Sequence, residues 1–349
     1  MRSIDYSFIK KEIPGSIVGL VHIISDLNAK EQFRIRQYTE VFEKLQKKAM
    51  IESVKGSNAI EGIVTTDNRI RDIVNGAEPV SHDEAEISGY KDALNLIHTS
   101  YEELDFTEEV ICSSHNMITA GTNQNEAGTY KKRDNFIMEY EADGRRKIRF
   151  KPVSAAETPD AMEQLVLAYI DARQDSEIPV LFLIPCVIVD FLCIHPFSDG
   201  NGRVSRLLTV LMLYIAGYDI SRYVSVEGQI NKYKESYYAA LEQSSKGWHE
   251  GTNDYVPFIT NFLQILYKCF KDLDDSFTEM SLKKAKKSER IEAVVLAAIV
   301  PVSKADIMEK LPDVSIKTVE LTLNRLMKEK KIIKIGTYRN ARYMKNRNQ

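Results

Sequence analysis

The stretch LFLIPCVIVDFLCIHPFSDGNGRVSRLLTVLMLYI, residues 181–215, contains two strongly apolar segments and one polar turn between them. Residues 181–194 and 202–216 are apolar on all sides, which predicts two helices buried at the centre of a domain. The turn, IHPFSDGNGR at 194–203, combines a histidine, a proline, an acid, two glycines and an arginine. A turn of this polarity between two buried helices indicates a site that binds a ligand.

Composition and charge are typical of a globular protein with an uneven charge distribution. The chain has 349 residues, of which 44% are hydrophobic and 28% charged, enough for two or three domains. Residues 281–349 carry 17 Lys and Arg against 7 Asp and Glu, whereas the rest of the chain carries 30 against 43. This asymmetry favours a basic C-terminal domain with a polyanionic partner.

Cysteine spacing and hydropathy argue against three other classes of protein. The four cysteines have no CxxC spacing, which favours buried thiols in a reducing compartment over a disulfide or zinc framework. The start, MRSIDYSFIKKEIPG, lacks the apolar core of a secretory signal. The run 178–194 is shorter than the roughly 20 apolar residues of a membrane span. The sequence therefore predicts a cytoplasmic protein without a membrane partner.

The rest of the pattern is mainly helical. Residues 27–60 are predicted to form one long helix, and residues 81–104 begin with Ser81 and early acids, a favourable helix start. Asp143-Gly144 lies between alternating segments and predicts a β-hairpin over 135–152. Further helices are predicted at 107–120, 158–173, 231–245 and 254–275.

These patterns predict a mainly α protein in four segments. They are an N-terminal helical region (1–80), a main helical domain with one hairpin (81–275), a charged linker (276–290) and a small winged helix-turn-helix domain (291–349). The last is predicted from three short amphipathic helices, IEAVVLAAIV, KADIMEKL and SIKTVELTLNRLMKEKK, followed by two strands in IIKIGTYRNARYMK.

The turn at 195–206 has the residue types of a phosphate-binding site. Pro196 ends the preceding helix, and Gly200 and Gly202 let the backbone approach a ligand closely. The next helix begins near Asn201, where free amides and the helix dipole favour an anion. Arg203 and Arg206 are three apart, so both can meet a phosphate chain.

Two other side chains of the turn suit chemistry at phosphorus. Asp199 beside a phosphate site is typical of an Mg²⁺ ligand, and His195 is suited to act as a general base. Taken singly, a histidine at a helix end or one Gly-x-Gly is more often structural. Taken together, the residues indicate attack on a phosphoryl centre. The P-loop pattern G-x-x-x-x-G-K-[ST] is absent from the sequence.

HPFSDGNGRVSR, residues 195–206, resembles the signature of Fic-domain proteins, H-P-F-x-[DE]-G-N-G-R-x-x-R, at every defined position. The resemblance covers about residues 50–270. It implies an all-helical catalytic domain whose flap is the hairpin at 135–152. It also implies a protein adenylyltransferase, which moves AMP from ATP to a Ser, Thr or Tyr hydroxyl of a target protein.

The resemblance also implies a role for each residue of the motif. His195 would deprotonate the target hydroxyl, and Asp199 would hold Mg²⁺ between the α- and β-phosphates. Gly202 argues against the related Doc-like kinases, which lack the second glycine and transfer the γ-phosphate. The residues implied to hold the loop or the nucleotide are Phe197, which anchors the loop, Gly200, Asn201, Gly202, Arg203 and Arg206, the last at the γ-phosphate.

GSNAIEG, residues 56–62, resembles the inhibitory motif of the same family, [ST]-x-x-x-E-[GN]. Ser57 and Glu61 are four apart and so share a helix face, and Gly62 is a plausible helix stop. An ordinary helix terminus is the alternative interpretation. The resemblance implies that Glu61 pairs with Arg206 and leaves ATP bound unproductively. In some such proteins this glutamate also supports removal of AMP from the target.

Three other features bear on target and nucleotide. The strand at 147–151 offers an edge for an extended target segment, and self-modification is also expected. KESYYAAL (234–241) matches a segment in which a tyrosine lies against adenine, here Tyr238; a tyrosine at helical spacing is more often core. The family's G-x-[FY]-R segment is GTYK at 128–131, so Lys131 replaces an arginine.

The C-terminal segment supports an alternative function of a different class. Under this alternative, the protein is a DNA-binding winged-helix regulator, and its Fic core is secondary or uses another nucleotide donor. The basic balance and the candidate recognition helix SIKTVELTLNRLMKEKK favour DNA. Contact with a protein or a second copy through 291–349 is the competing interpretation.

Overall fold

The structure is a computed structural model, and it describes residues 3–119, 121, 126–140, 146–284, 287–298, 300–337 and 341–346. Contacts between residues divide the chain into two units, residues 1–273 and 274–349. The predicted N-terminal region 1–80 thus falls in the same unit as the main domain. The predicted linker 276–290 is helical wherever it is described.

The N-terminal unit is a bundle of helices with one hairpin. Its helices, in chain order, are α1 Ile9–Glu12, α2 Gly15–Gln37, α3 Thr39–Ile60, α4 Asp67–Val74, α5 His82–Ser100, α6 Glu108–Thr119, α7 Thr158–Gln174, α8 Val180–Ile194, α9 Asn201–Ile215, α10 Val226–Lys232, α11 Lys234–Ser245 and α12 Val256–Lys284, which runs past residue 273. Strands β1 (Ile137–Tyr140) and β2 (Arg146–Phe150) form the antiparallel hairpin. Asp143 and Gly144, the predicted turn, lie outside the described residues.

Helices α8 and α9 form the core, as their composition predicts. Every residue of α8 from Leu181 to Ile194 is buried. In α9, all residues from Arg203 to Tyr214 are buried as well. Because these two helices are fixed on all sides, the loop between them, residues 195–200, is held at both ends by the rigid centre of the unit.

Two predicted helices are each divided in the structure. The expected helix 27–60 is interrupted at Tyr38, whose φ and ψ of −128° and 44° end α2 before α3 begins. The expected helix 231–245 is interrupted at Tyr233, between α10 and α11. Neither break contains a glycine or a proline, so local composition gave no sign of them. The Ser81 start of α5 is confirmed, since its side chain accepts a hydrogen bond from the Glu84 amide.

The C-terminal unit has its own small core. After α12 it contains α13 (Lys287–Ala297), β3 (Val302–Ser303), α14 (Lys304–Lys310), α15 (Ile316–Lys328), β4 (Ile332–Ile335) and β5 (Arg342–Lys345). The strands form a sheet in the order β3-β5-β4. The three helices and two strands follow the order that the sequence predicted, with a short additional strand, β3, ahead of α14. The winged-helix assignment stays a prediction.

Among the described residues, no helix combines the length and the apolar character needed to cross a membrane. The four cysteines, all within the described residues, form no disulfide, and three of them, Cys186, Cys193 and Cys269, are buried.

Candidate active site

The loop between α8 and α9 is held in a constrained conformation. His195 ends α8 in the left-handed region, with φ 53° and ψ 61°, an uncommon conformation for a residue with a side chain. Gly200 precedes α9 with φ 77°, where a glycine avoids the steric cost. Asn201 closes the loop, because its side chain accepts from the Phe197 amide (2.9 Å) and donates to the Phe197 carbonyl (2.7 Å).

Phe197 anchors the loop. Its side chain is fully buried and stacks on the His115 ring, with 3.8 Å between ring centroids and 3° between planes. His115 in turn approaches the backbone of the loop, since its Nε2 lies 3.2 Å from the Asp199 carbonyl. The structure therefore places Phe197 where the sequence expects it, as an anchor in the core.

His195 is arranged as a neutral base. Its Nδ1 lies 3.2 Å from the Leu192 carbonyl, and because a carbonyl only accepts, Nδ1 carries the proton. Burial lowers the pKa of His195 to about 4, although the bond to Leu192 acts in the opposite direction. The imidazole is therefore uncharged at neutral pH, and Nε2 keeps the lone pair that can accept a proton.

Lys131 and Asn135 fix the end of α8 that bears His195. The buried Lys131 amine donates to the carbonyls of Ile194 (3.1 Å) and His195 (3.0 Å), and to Asn135 Oδ1 (2.9 Å). Asn135 in turn donates to the Phe197 carbonyl at 3.0 Å. Burial lowers the pKa of Lys131 to about 8. The lysine that replaces the family arginine thus caps the C-terminal end of α8.

Arg206 is buried and its guanidinium is already occupied. Nε donates to Ser57 Oγ (2.8 Å), and Nη2 donates to the Ser57 carbonyl (3.0 Å) and to Glu61 Oε1 (2.7 Å). The Arg206 side chain is 2% exposed and that of Glu61 32%. The structure therefore brings Ser57, Glu61 and Arg206 together in one cluster, although α3 and α9 are far apart in the chain.

Gly62 ends the helix that carries Glu61. Its φ is +83°, its amide donates to the Ala59 carbonyl, and the next amide, of Ile63, donates to the Asn58 carbonyl. This pair of hydrogen bonds is the Schellman motif, and it requires the left-handed residue that glycine supplies. The sequence reading of Gly62 as a helix stop is confirmed.

Arg203 occupies a different position from the one expected. It is 1% exposed, forms an ion pair with Glu86, and lies 3.7 Å from Asp199. It is not among the residues that line the cavity described below. Contact between Arg203 and a phosphate chain therefore stays a prediction. In this structure Arg203 links α9 to α5.

A cavity of about 260 Å³ opens beside the loop. One wall is the loop and the start of α9, which no side chain caps. A second wall is the hairpin, and a third is α11 with Tyr237 and Tyr238. The residues of the predicted site that line it are Glu61, His195, Asp199, Gly200, Asn201, Gly202, Arg206 and Tyr238.

Gly202 lies directly under Glu61. A Cβ at position 202 would come within 2.3 Å of Glu61 Oε1 and 3.2 Å of Arg206 Nη1. The backbone at this point is therefore open to a ligand only if Glu61 moves.

Tyr238 stands near the ion pair. Burial raises the pKa of Tyr238, and the Glu61 charge adds to this, whereas Arg206 and Arg149 act in the opposite direction. Its hydroxyl is thus close to the charged end of the cavity. Whether its ring lies against a base stays a prediction.

Asp199 is the acid that a metal would meet. Its side chain is 67% exposed, and the described residues contain no cluster of three or more His, Cys, Asp or Glu able to hold a metal by themselves. A single carboxylate suits Mg²⁺, which usually takes one or two carboxylates and completes its shell with phosphate oxygens and water. The residues therefore fit an ion that arrives with a phosphate ligand.

Sequence reasoning missed three residues that shape this site. Glu86 pairs with Arg203, His115 supports Phe197, and Arg149 lines the cavity from β2. Nothing in the local sequence around Glu86 or His115 indicates these contacts, because their partners lie on other helices. Arg149 is one of several basic residues in the hairpin, and only its direction distinguishes it.

The part of the chain that carries this site matches the model of a known protein family. Residues 105–213 match the model of the Fic/DOC family. The chain is 26% identical over 226 residues to the protein adenylyltransferase Fic of Nematostella vectensis, across 61% of this chain and 46% of that protein. It is also 26% identical over 117 residues to a Fido domain-containing protein of Dictyostelium discoideum, across 32% of this chain and 78% of that protein. The chain thus spans less than half the length of the Nematostella relative.

Solved structures share the fold. A Fic family protein from Desulfovibrio desulfuricans superposes with a TM-score of 0.63 at 19% identity, covering 97% of this chain and 98% of that one. Fic-1 from C. elegans gives a TM-score of 0.59 at 19% identity, covering 77% of this chain and 74% of that one. At these identities the likeness establishes the fold.

Proposed function

We propose that this chain, whose residues 105–213 match the Fic/DOC family model, is a protein adenylyltransferase that moves AMP from ATP to a side-chain hydroxyl of a target protein. The observation that carries the proposal is one cavity that combines a neutral His195 with the uncapped N-terminus of α9. A base and an anion site side by side are what nucleotidyl transfer to a hydroxyl needs.

The reaction is a substitution at the α-phosphorus. The hydroxyl oxygen of the target attacks this atom, its proton passes to His195 Nε2, and a new O–P bond forms. The bond from the α-phosphorus to the α,β-bridging oxygen breaks, and pyrophosphate leaves. The αL conformation of His195 and the bonds of Lys131 to its carbonyl fix where the imidazole can point.

The phosphates would lie on the amides around Gly200, Asn201 and Gly202, with Arg206 at the γ-phosphate. Asp199 would hold Mg²⁺ together with phosphate oxygens, and the ion would neutralise charge on the α- and β-phosphates. Arg203 would reach the phosphate chain only after it releases Glu86, its present partner.

Autoinhibition by Glu61 is part of the proposal. Glu61 accepts a hydrogen bond from Arg206, the residue proposed to bind the γ-phosphate, and it lies over Gly202. ATP would then bind in an unproductive pose until Glu61 moves away. We also propose that Glu61 positions a water molecule that removes AMP from the modified target. Loss of AMP removal in a Glu61 variant is the expected result, and its persistence would refute this second role.

The target would add to the hairpin. The sheet of β1 and β2 has two strands, so β2 has a free edge among the described residues for an extended segment carrying the hydroxyl. Self-modification follows if a segment of this chain reaches the same edge.

The test uses ATP labelled at the α-phosphate, with Mg²⁺, and three proteins: wild type, Glu61→Gly and His195→Ala combined with Glu61→Gly. Label is expected on protein in Glu61→Gly, at least tenfold above wild type, and in neither of the others at that level. Intact mass should rise by one AMP. Label in the His195→Ala combination, or none in any protein despite ATP binding, would contradict the proposal.

The C-terminal unit supports a second candidate function, binding of duplex DNA. Helix α15 exposes three polar side chains, those of Lys317, Asn324 and Lys328. None of them forms an ion pair or a side-chain hydrogen bond with another described residue. Helix α15 is the candidate recognition helix, and free cations on it suit a phosphate backbone. The same face also exposes Leu321, at 64%, which suits a protein or a second copy instead.

A gel-shift assay of the full chain with duplex DNA at increasing salt distinguishes DNA binding from binding of a protein or a second copy. A shift that weakens steeply with salt and is lost in Lys317→Ala/Lys328→Ala supports DNA. No shift at low salt, with dimerisation lost in Leu321→Ser, would replace DNA by a second copy of the chain.

A further inference from the structure

The hairpin beside the cavity contains a β-bulge at Arg149. Ile137 pairs with Phe150, but the next residue of β1, Met138, pairs with Ile148. Arg149 therefore has no partner across the hairpin, and two residues of β2 oppose one of β1. Bulges of this kind redirect a side chain and occur next to active sites.

The bulge leaves Arg149 without a partner. Its Nε is buried and makes no hydrogen bond, and Arg149 forms no hydrogen bond or ion pair with any described residue. A desolvated guanidinium nitrogen without an acceptor is costly, so its position calls for an anion that none of the described residues supplies.

Arg149 faces the same cavity as the phosphate-binding residues. It lines the cavity together with Phe136, Ile137 and Phe150 of the hairpin segment. Arg149 and Arg206 both act to lower the pKa of Tyr238, so both charges lie within electrostatic range of its hydroxyl.

Arg206 is committed to Ser57 and Glu61, whereas Arg149 is not committed to any group among the described residues. We propose that Arg149 is a phosphate-binding residue of the nucleotide site, which the bulge of the hairpin directs at the phosphate chain of ATP. The inference rests on the proposed function, because that function puts a nucleoside triphosphate in this cavity. An arginine suits the role, since its planar fork binds two phosphate oxygens at once.

The test measures binding rather than transfer, by calorimetry on the full-length chain with His195→Ala as parent, which holds ATP without turnover. The ligands are ATP and inorganic tripolyphosphate, which has the phosphate chain but no base. In Arg149→Met the Kd for both should rise about tenfold, and in Arg149→Lys by less. The melting temperature without ligand should not fall, since Arg149 forms no hydrogen bond or ion pair with a described residue that the change would remove.

Arg133→Met is the matched control. Arg133 is an exposed arginine outside the cavity, so removing its charge should leave both Kd values unchanged. Weaker binding of ATP but not of tripolyphosphate would assign Arg149 to the base or sugar and overturn the inference. Unchanged binding of both ligands would also overturn it, with the proposed function intact. If the parent binds neither ligand, both the inference and the proposed function fail.

Discussion

Arg206 and Glu61 form an ion pair in which the arginine is the buried member: Nη2 lies 2.7 Å from Oε1, with the Arg206 side chain 2% exposed and that of Glu61 32%. Removing the glutamate and removing the arginine should therefore change the free energy of unfolding by different amounts. Removing Glu61 leaves a buried cation whose remaining hydrogen bonds, such as those to Ser57, go to uncharged groups, whereas Glu61 by itself is partly solvated.

Glu61→Ala should lower the free energy of unfolding without nucleotide by about 1–3 kcal/mol, because a buried charge-assisted hydrogen bond is lost. ATP should then raise the melting temperature of the variant more than that of wild type, since the γ-phosphate replaces the carboxylate. Thermal unfolding with and without ATP checks both expectations.

Glu163→Ala is the control for that variant. Glu163 is exposed on α7, and no ion pair of it is found among the described residues, so the change should be close to neutral. Equal stabilisation of wild type and Glu61→Ala by ATP would show that the nucleotide does not take over Arg206.

Gly62→Ala should destabilise the N-terminal unit by about 1–2 kcal/mol, because φ at this position is +83° and a Cβ is disfavoured there. No atom lies within 4 Å of the added Cβ, so the effect is purely conformational. Gly19→Ala, inside α2 and equally open, should stabilise by about 0.5–1 kcal/mol instead. Denaturant unfolding of the two variants should give opposite signs; the same sign for both would contradict the backbone argument.

His195 should be neutral at pH 6, with its proton on Nδ1. Burial is the main cause of its pKa of about 4, and the Leu192 carbonyl fixes the tautomer. Nitrogen NMR of labelled protein measures both the pKa and the tautomer of His195, and the His195→Ala variant assigns the signal. A proton on Nε2 would remove the lone pair that the proposed reaction requires. A pKa near the ordinary 6.5 would contradict the effect of burial on His195.

Stability should fall as the pH drops from about 6.5 to about 4. Burial lowers the pKa of His98, His115 and His195 to about 4 each, so within this window the unfolded chain binds protons that the folded chain does not. Each histidine contributes a slope of up to about 1.4 kcal/mol per pH unit. Proton uptake on unfolding at pH 5 should approach three from these groups.

Lys131→Met should lower stability by about 1–3 kcal/mol and raise the pKa of His195. The stability is lost because the carbonyls of Ile194 and His195 lose a buried donor. The pKa rises because the Lys131 charge adds to burial in holding it down. Lys131→Arg should restore most of the stability, and Lys132→Met, at an exposed neighbour, should change neither quantity. If the pKa of His195 measured by NMR is unchanged in Lys131→Met, the lysine charge does not influence His195.

Local sequence predicted the parts of the fold that depend on local patterns. The buried pair α8 and α9 follows from segments that are apolar on all sides, and the Ser81 and Gly62 boundaries follow from cap chemistry. The breaks at Tyr38 and Tyr233 did not, because neither contains a residue that disfavours a helix.

The sequence by itself determined the residues of the loop, because the motif from His195 to Arg206 is contiguous and its chemistry is carried by residue type. Their contacts with other segments are formed by tertiary packing: the family resemblance implied the partner of Arg206, whereas nothing in the sequence indicated the partner of Arg203. Glu61 and Arg206 are 145 positions apart, and Glu86 and Arg203 are 117 apart. The direction of Arg149 depends on a one-residue offset between two strands. Pairings of this kind are set by how helices and strands pack, and no spacing along the chain encodes them.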